Sequence, residues 1–162
     1  MKIPKIKAPK KTTVKKRTWD WFSKYIRLRD CLFTTGEPDQ CYCVSCGVRY
    51  EFKHTQAGHC IGGRNESILF DTRLVNGQCE DCNKSSIYGG RDGNYPAYHI
   101  WYIKRYGLED FEEKEKISNL LDKLSVPELE ELSDEFRTRF NALKKDNSLL
   151  QVYLDIDKKN IN

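Results

Sequence analysis

The segment Cys43-Val-Ser-Cys46 has the same cysteine spacing as the later segment Cys79-Glu-Asp-Cys82, and the two flank residues 47–78. Two residues between paired cysteines allow a tight turn to direct both sulfurs to one point, and two such turns supply the four thiolates of a tetrahedral zinc site. Gly47 directly follows the first pair, where a glycine suits the turn. Redox-active or incidental cysteines are the alternative interpretation. We therefore predict that these four cysteines bind a structural zinc ion.

Basic residues are concentrated at the start of the chain. Residues 1–19 contain eight lysines and arginines and no acidic residue, although the formal net charge of all 162 residues is only +4. A lysine that contacts a phosphate releases counterions, so a basic arm is typical of proteins that bind nucleic acid. A solvated tail that aids solubility is the alternative. We predict a flexible basic arm over residues 1–17, with these candidate DNA contacts: Lys10, Lys11, Lys15, Lys16 and Arg17.

The composition is that of one compact domain. Hydrophobic residues make up 38% of the chain and charged residues 32%, which is too polar for a membrane protein but leaves enough apolar residues for a modest core. The sequence contains no apolar run of about 18 residues, and Met1 is followed by lysines and prolines in place of an apolar signal segment. Seven cysteines without such a signal do not indicate a disulfide framework. We expect a cytoplasmic protein with no membrane contact.

Hydrophobic periodicity predicts helices towards both ends of the chain and short strands in the middle. The predicted helices cover residues 18–30, 94–106 and 110–124 and a stretch that begins at Ser125, and the predicted strands cover 48–53 and 56–61. Gly107 is expected to end the second helix in the left-handed cap conformation. Ser125 and Glu128 have the spacing of a capping box. The acidic residues of 109–135 are expected to form a solvated face, or alternatively a surface for a protein partner or a second copy of the chain.

The residues between and beside the cysteine pairs are of the types that a ββα-metal nuclease needs. His59 is on a predicted strand, Asn76 is in the returning segment, and Asn83 directly follows the last cysteine of the second pair. Hydrolysis of a phosphodiester requires a base to activate water and a divalent ion to stabilise the charged phosphate and the leaving oxygen. An imidazole with a pKa near 6.5 suits the first role. Zinc is expected to be only a scaffold, because four thiolates leave no open position for water.

The expected fold class is therefore α+β, with a zinc-stabilised ββα-metal (His-Me finger) core, an N-terminal helix and C-terminal helices. The expected organisation is the basic arm (1–17), a zinc-bound nuclease core (18–106), a helical extension (107–146) and a tail (147–162).

The order of these motifs resembles the phage NinG (Rap) recombination nuclease family. The likeness rests on Cys43-x2-Cys46, Ala57-Gly58-His59, Asn76-x-Gln78-Cys79-x2-Cys82-Asn83, Gly93-Asn94 and Tyr98, with Trp21–Asp30 upstream. It covers about residues 18–106. The resemblance implies an HNH, or His-Me finger, endonuclease that cuts branched recombination intermediates such as Holliday junctions and D-loops. The arrangement Cys-x2-Cys-Asn is also similar to phage endonuclease VII, a junction resolvase with a zinc scaffold and a catalytic Mg²⁺.

The resemblance assigns roles by matched position. His59 becomes the general base, and Asn83 becomes an oxygen ligand to a catalytic Mg²⁺ or Mn²⁺. Asn76 takes the role of the central Asn that orients the histidine loop, although many HNH motifs have that Asn at the position where this chain has Leu74.

The second ligand of the catalytic ion is left open by the sequence. Many HNH enzymes have an Asp or His ligand directly before the general base, where this chain has Gly58. Asp71 and Asp81 are the candidates to replace it, and backbone carbonyl, water and phosphate oxygens could supply the rest.

Four further basic residues flank the proposed site. They are candidates for phosphate contacts, and a solvated surface role is the alternative. The four are Arg64, Arg73, Lys84 and Arg91.

Three functions are consistent with the sequence. The first is a metal-dependent, structure-selective DNA endonuclease of phage recombination, acting in the cytoplasm of the host cell. The others are a non-catalytic zinc-knuckle protein that binds DNA, and a zinc-stabilised adaptor whose acidic helices bind a recombination protein. The first is favoured because a simple zinc ribbon has no need of His59. The expected partner is branched DNA, and a homodimer would supply the two cuts that resolve a junction.

Overall fold

The computed structural model describes residues 8–63, 65–84 and 93–159. Within these ranges the chain is mostly helical, with two small sheets, so the α+β class is confirmed. The helices are α1 (Lys11–Thr35), α2 (Glu80–Lys84), α3 (Tyr95–Tyr106), α4 (Leu108–Ser118), α5 (Val126–Lys145) and α6 (Leu150–Lys159). The strands are β1 (Gln40–Tyr42), β2 (Arg49–Glu51), β3 (Thr55–His59) and β4 (Val75–Cys79). Across the described ranges, no helix combines the length and the apolarity that crossing a membrane requires.

The four strands form two antiparallel pairs, β1 with β2 and β3 with β4. The two predicted strands correspond to β2 and β3, which belong to different pairs. A turn of 3-10 helix at Phe52–His54 lies between them. In the second pair, Gly58 is opposite Asn76 and Gln56 is opposite Gln78. Alternate residues of a strand point to opposite faces. These four residues therefore share one face of the pair, and His59 points to the other.

The first helix is longer than the predicted helix over 18–30. It begins at Lys11, where buried Val14 anchors its first turn, and Lys11 and Lys15 form ion pairs with Glu66 at 3.0 and 2.8 Å. The prediction of a flexible arm is therefore wrong for residues 11–17, and residues 1–7 lie outside the described part of the chain. The helix continues to Thr35 and ends at Gly36, which has φ +76° and donates its N–H to the carbonyl of Leu32. Residues 31–35 thus extend the helix beyond the predicted end at residue 30.

The C-terminal helices pack against α1 through an aromatic core. Phe22 of α1 meets Phe136 of α5 edge to face, with ring centroids 4.8 Å apart. The predicted capping box at the start of α5 is confirmed, because the Ser125 hydroxyl accepts from the Glu128 N–H and the Glu128 carboxylate accepts from the Ser125 N–H. Gly107 has φ +95° and ψ 160°, so the predicted left-handed cap is wrong.

The last two helices also differ from the sequence prediction. Helix α4 ends at Ser118 instead of residue 124, and the predicted tail contains α6. A buried ionic network holds α6 in place. The Arg29 guanidinium, 3% exposed, donates to Asp30 and to Asp157 of α6 at 2.7 and 3.1 Å, and Arg139 of α5 donates to the other oxygen of Asp157 at 2.9 Å. Through these two ion pairs, Asp157 holds α6 against α1 and α5.

Candidate metal centres and active site

The sulfur atoms of the two cysteine pairs converge on one point. The Sγ atoms of Cys43, Cys46, Cys79 and Cys82 all lie within 4.8 Å of one another, and those of Cys46 and Cys79 are 3.9 Å apart. Four thiolates around a zinc ion at about 2.3 Å require sulfur separations just under about 4 Å. The four cysteines are therefore close enough to hold a zinc ion, as the spacing predicts.

Backbone geometry explains how each pair points inward. The first pair occupies a turn after β1, where Gly47 has φ +69° and donates its N–H to the carbonyl of Cys43 at 2.9 Å. The second pair lies at the junction of β4 and α2, and the Cys82 N–H points at Cys79 Sγ. The Val44 N–H donates to the carbonyl of Gly77 at 2.9 Å, which joins the two turns. The cysteine cluster thus fastens the first hairpin to the β4–α2 junction.

Protonation of the cluster depends on whether a cation is bound. Burial raises the pKa of the Cys43 thiol to about 11 and also raises the pKa of Cys82. Zinc binds thiolates, so it would displace these protons. A zinc ion with four sulfur ligands has no open position, which makes this centre structural.

Asn83 lies beside the residue that precedes His59. The strand β4 leads directly into α2, and this short helix lies on the Gly58 face of the β3–β4 pair. A Cβ atom on residue 58 would be 2.9 Å from Asn83 Oδ1. Asn83 Nδ2 donates to Gln56 Oε1 at 2.7 Å, which holds the amide in this position. The amide oxygen of Asn83 is therefore directed to the space that a side chain at position 58 would enter.

His59 is the last residue of β3 and faces α1. Its ring stacks on the Trp19 indole, with centroids 5.2 Å apart and planes 13° apart, and the residue is 8% exposed. Nε2 lies 3.2 Å from the carbonyl of Leu69. A carbonyl only accepts, so in this bond Nε2 carries the proton and Nδ1 has the lone pair of the neutral ring. The bond and the stack fix the orientation of the ring.

A cavity of about 380 Å³ runs along the edge of β3 that no described strand covers. Trp19, which stacks on His59, and Asn83 both line this cavity. Three cations also line it, namely Arg27, Lys53 and Lys84. Positive side chains around an open cavity attract phosphate groups.

Asn76 supports the strand and does not contact the histidine. Its Nδ2 donates to the Tyr98 hydroxyl at 2.8 Å and to the carbonyl of Arg73, and its Oδ1 accepts from Arg29. Tyr98 in turn lies 3.1 Å from the carbonyl of Gly58. Burial raises the pKa of Tyr98, so its hydroxyl stays protonated and donates. Asn76 therefore supports the strand at Gly58 through Tyr98, and its predicted role in orienting the histidine loop stays a prediction.

Neither aspartate candidate for the catalytic ion is held against Asn83. Asp71 accepts from the backbone N–H groups of Arg73 and Leu74 with one oxygen and from Lys114 with the other. It lines a different cavity from Asn83, so Asp71 is corrected to a turn-forming residue. Asp81 lies exposed on α2, one residue before Cys82.

The predicted DNA contacts divide into exposed and paired residues. Lys10, Lys16 and Arg17 are exposed, and Arg17 lies 3.6 Å from Glu130. Lys84 is exposed at the cavity. Lys11 and Lys15 are paired with Glu66. Arg64 and Arg91 lie outside the described residues.

Arg73 is wrong as a phosphate contact. It is 4% exposed, its guanidinium donates to Asp110 at 2.7 Å, and it lies over the ring of Tyr106. A buried, paired guanidinium joins the central segment to α4 and is not presented to a ligand.

Sequence reasoning missed four residues of this region, namely Trp19, Arg27, Lys53 and Gln78. Trp19 and Arg27 belong to the predicted helix over 18–30 and Lys53 to the predicted strand over 48–53, while Gln78 has no predicted role. Trp19 could have been found from its helical spacing to Phe22 and Ile26, which both face the β3–β4 pair.

The chain matches the model of a known protein family. The model of the bacteriophage lambda NinG protein family matches residues 1–146, which is most of the chain and ends before α6. Among curated proteins and among solved structures, no significant match is found.

Proposed function

We propose that this chain, which belongs to the NinG family of phage recombination-related proteins, is a metal-dependent DNA endonuclease of the HNH, or His-Me finger, type. Its proposed substrates are branched recombination intermediates such as Holliday junctions and D-loops. The observation that carries the proposal is the cavity that Asn83 and Trp19 both line, together with the stack of His59 on Trp19. A hairpin followed directly by a helix, braced by four cysteines, supports the same proposal.

The donor set beside Gly58 suits a hard divalent cation. Mg²⁺ and Mn²⁺ prefer oxygen ligands, and the Asn83 amide directs its oxygen to this place. When bound, such an ion would stabilise the charge on the phosphate and on the leaving oxygen. The four sulfur atoms suit zinc instead, so the two metals would occupy different sites.

The side chains at the cavity and beside it divide the remaining work. His59 would take the proton of the attacking water, while the carbonyl of Leu69 holds its Nε2. The Trp19 indole covers the ring and excludes bulk water from it. Arg27, Lys53 and Lys84 would hold the neighbouring phosphates of the DNA backbone.

The direct test is cleavage of a synthetic four-way DNA junction by the zinc-loaded chain. Cleavage is expected with Mg²⁺ or Mn²⁺ and is expected to stop when EDTA is added. The EDTA concentration is chosen so that the measured zinc content of the protein does not change. Asn83→Ala should raise the Mg²⁺ concentration needed for half-maximal rate, because a higher metal concentration offsets the loss of one neutral ligand. No cleavage of any branched or linear DNA with either ion would overturn the proposal.

The second candidate is a DNA-binding protein without nuclease activity. The observation that favours it is the burial of His59, which is only 8% exposed beneath Trp19. A stacked and hydrogen-bonded histidine also suits a structural role. In that case the junction would be bound without being cut, and His59→Ala would lower the thermal midpoint with no effect on any reaction.

A further inference from the structure

The backbone at Gly58 is covered by a second amide oxygen besides that of Asn83. A Cβ atom on residue 58 would overlap Gln78 Oε1, which therefore occupies the space that a side chain at this position would fill. The strand register produces this closeness, because Gln78 and Gly58 lie on the same face of the β3–β4 pair. Two side-chain oxygens, one from β4 and one from α2, thus converge on the same point.

Hydrogen bonds fix which end of the Gln78 amide faces Gly58. One terminal atom lies 3.1 Å from the carbonyl oxygen of Cys82 and 2.7 Å from Ser45 Oγ. A carbonyl oxygen accepts and does not donate, so this atom must be the amide nitrogen. The oxygen is consequently the atom directed at Gly58.

Both oxygens are available as ligands. Gln78 is 3% exposed, yet no donor within the described residues reaches Gln78 Oε1 or Asn83 Oδ1. An amide oxygen that no protein donor reaches accepts from water or binds a cation, and hard divalent cations prefer such oxygen ligands. The nitrogen atoms of both amides are occupied, so neither side chain can turn its oxygen away without losing a bond.

We propose that Gln78 Oε1 is the second protein ligand of the catalytic divalent cation and binds it together with Asn83 Oδ1. This inference rests on the proposed nuclease function and completes its metal site. Gln78 takes the place of the Asp or His side chain that Gly58 lacks. A site with two neutral ligands leaves several positions of a Mg²⁺ or Mn²⁺ ion to water and to phosphate oxygens of the DNA.

The experiment is a titration of the zinc-loaded full chain with Mn²⁺, followed by electron paramagnetic resonance of the free ion. Zinc in the cysteine site keeps Mn²⁺ out of the sulfur cluster. Gln78→Ala and Asn83→Ala are each expected to raise the dissociation constant for Mn²⁺ about tenfold or more. Gln151→Ala is the control, since this amide bonds to Asp155 on α6, far along the chain from the site. Its dissociation constant should equal that of the parental chain.

A rescue variant separates ligation from support of the fold. In Gly58→Asp/Gln78→Ala, the space vacated by Gln78 admits a carboxylate at position 58, and Mn²⁺ affinity should return to the parental value or exceed it. If Gln78→Ala loses zinc or unfolds, Gln78→Glu keeps the size and an oxygen while adding a charge, and it should bind Mn²⁺ more tightly. Unchanged affinity in Gln78→Glu, or in a folded Gln78→Ala, would overturn the inference.

The outcomes distinguish this inference from the proposed function. If Asn83→Ala weakens Mn²⁺ binding and the Gln78 variants do not, Gln78 is not a ligand and the nuclease proposal stands. If the zinc-loaded parental chain binds no Mn²⁺, the catalytic-ion site and this inference both fail. If both residues bind Mn²⁺ and no DNA is cut, the ligand pair stands and the nuclease proposal fails.

Discussion

Trp19 stacks on His59 with ring centroids 5.2 Å apart and planes 13° apart. This contact joins the N-terminal helix to the last residue of the strand that carries the proposed base. Trp19 also lines the cavity that Asn83 lines, so the stack places His59 beside that cavity. The orientation of the imidazole therefore depends on a residue that lies 40 positions earlier in the chain.

Replacing Trp19 should affect cleavage more than folding. Trp19→Leu keeps an apolar side chain in the core but removes the stack, so we expect junction cleavage to fall about 10–100-fold through misplacement of the ring. Trp21→Leu is the matched control, because Trp21 packs against Phe140 on the other side of the same helix. The measurement is the single-turnover rate of junction cleavage, compared between Trp19→Leu and Trp21→Leu. Equal rates would show that the stack does not position His59.

The zinc site should be needed for the fold around it. Cys46→Ser removes one thiolate, so we expect loss of the zinc ion and a lower thermal midpoint, because binding free energy of a structural zinc is folding free energy. Cys60→Ala is the control, since its buried thiol lies in a different cluster with Ile68 and Leu74. That variant should keep about one zinc per chain. A Cys46→Ser protein without zinc and with the parental midpoint would refute the structural role.

Asp157 should be among the most sensitive positions for stability. Asp157→Ala leaves the buried guanidinium groups of Arg29 and Arg139 without their shared partner, which costs about 3–5 kcal/mol. Asp155→Ala on the same helix is the control. Asp155 pairs with Lys158 at 3.8 Å on the surface, and its loss should cost no more than about 1 kcal/mol. Urea unfolding measures both, and similar losses in the two variants would contradict the network.

Glu66 should give the fold a dependence on acid. Hydrogen bonds from Lys15 and Lys11 lower the pKa of Glu66 from its usual 4.5 to about 2. The stability that this carboxylate contributes is therefore present above pH 4.5 and is lost as the pH falls towards 2. The advantage of the parental chain over Glu66→Gln in free energy of unfolding should shrink over that range. Glu130→Gln is the control, because Glu130 lies in an exposed pair with Arg17. Acid should release zinc from this variant and from Glu66→Gln to the same extent, so zinc loss does not account for a difference between them. A constant difference between parental and Glu66→Gln proteins would refute the ion pairs.

Local patterns of the sequence predicted the parts of this fold that local geometry determines. The spacing within each cysteine pair and the Ser125–Glu128 capping box specify turns that close over a few residues. The start of α1 was missed because Lys11 and Lys15 are held by Glu66, a partner more than 50 residues away in sequence. The sequence did not predict α6, because its packing depends on the ion pair between Asp157 and Arg29, which are 128 residues apart in sequence.

The candidate site could be predicted only in part for the same reason. His59 and Asn83 carry chemistry that their residue types and neighbours indicate. The role of Gln78 depends on the register between β3 and β4, which the segment between His59 and Val75 sets and no local pattern reveals. Arg73 and Asp71 have the right residue types for the site, but their partners Asp110 and Lys114 come from α4 and bind them elsewhere.

The most direct test of the nuclease account is the single-turnover rate at which His59→Ala cuts a four-way DNA junction in Mg²⁺. His54→Ala is the control, because His54 is exposed in the turn before β3. We expect His59→Ala to bind the junction and retain zinc but to cut about 10²–10⁴-fold more slowly, the usual effect of losing a general base. His54→Ala should cut at the parental rate. If His59→Ala cuts at the parental rate, the base lies elsewhere and the mechanism is wrong.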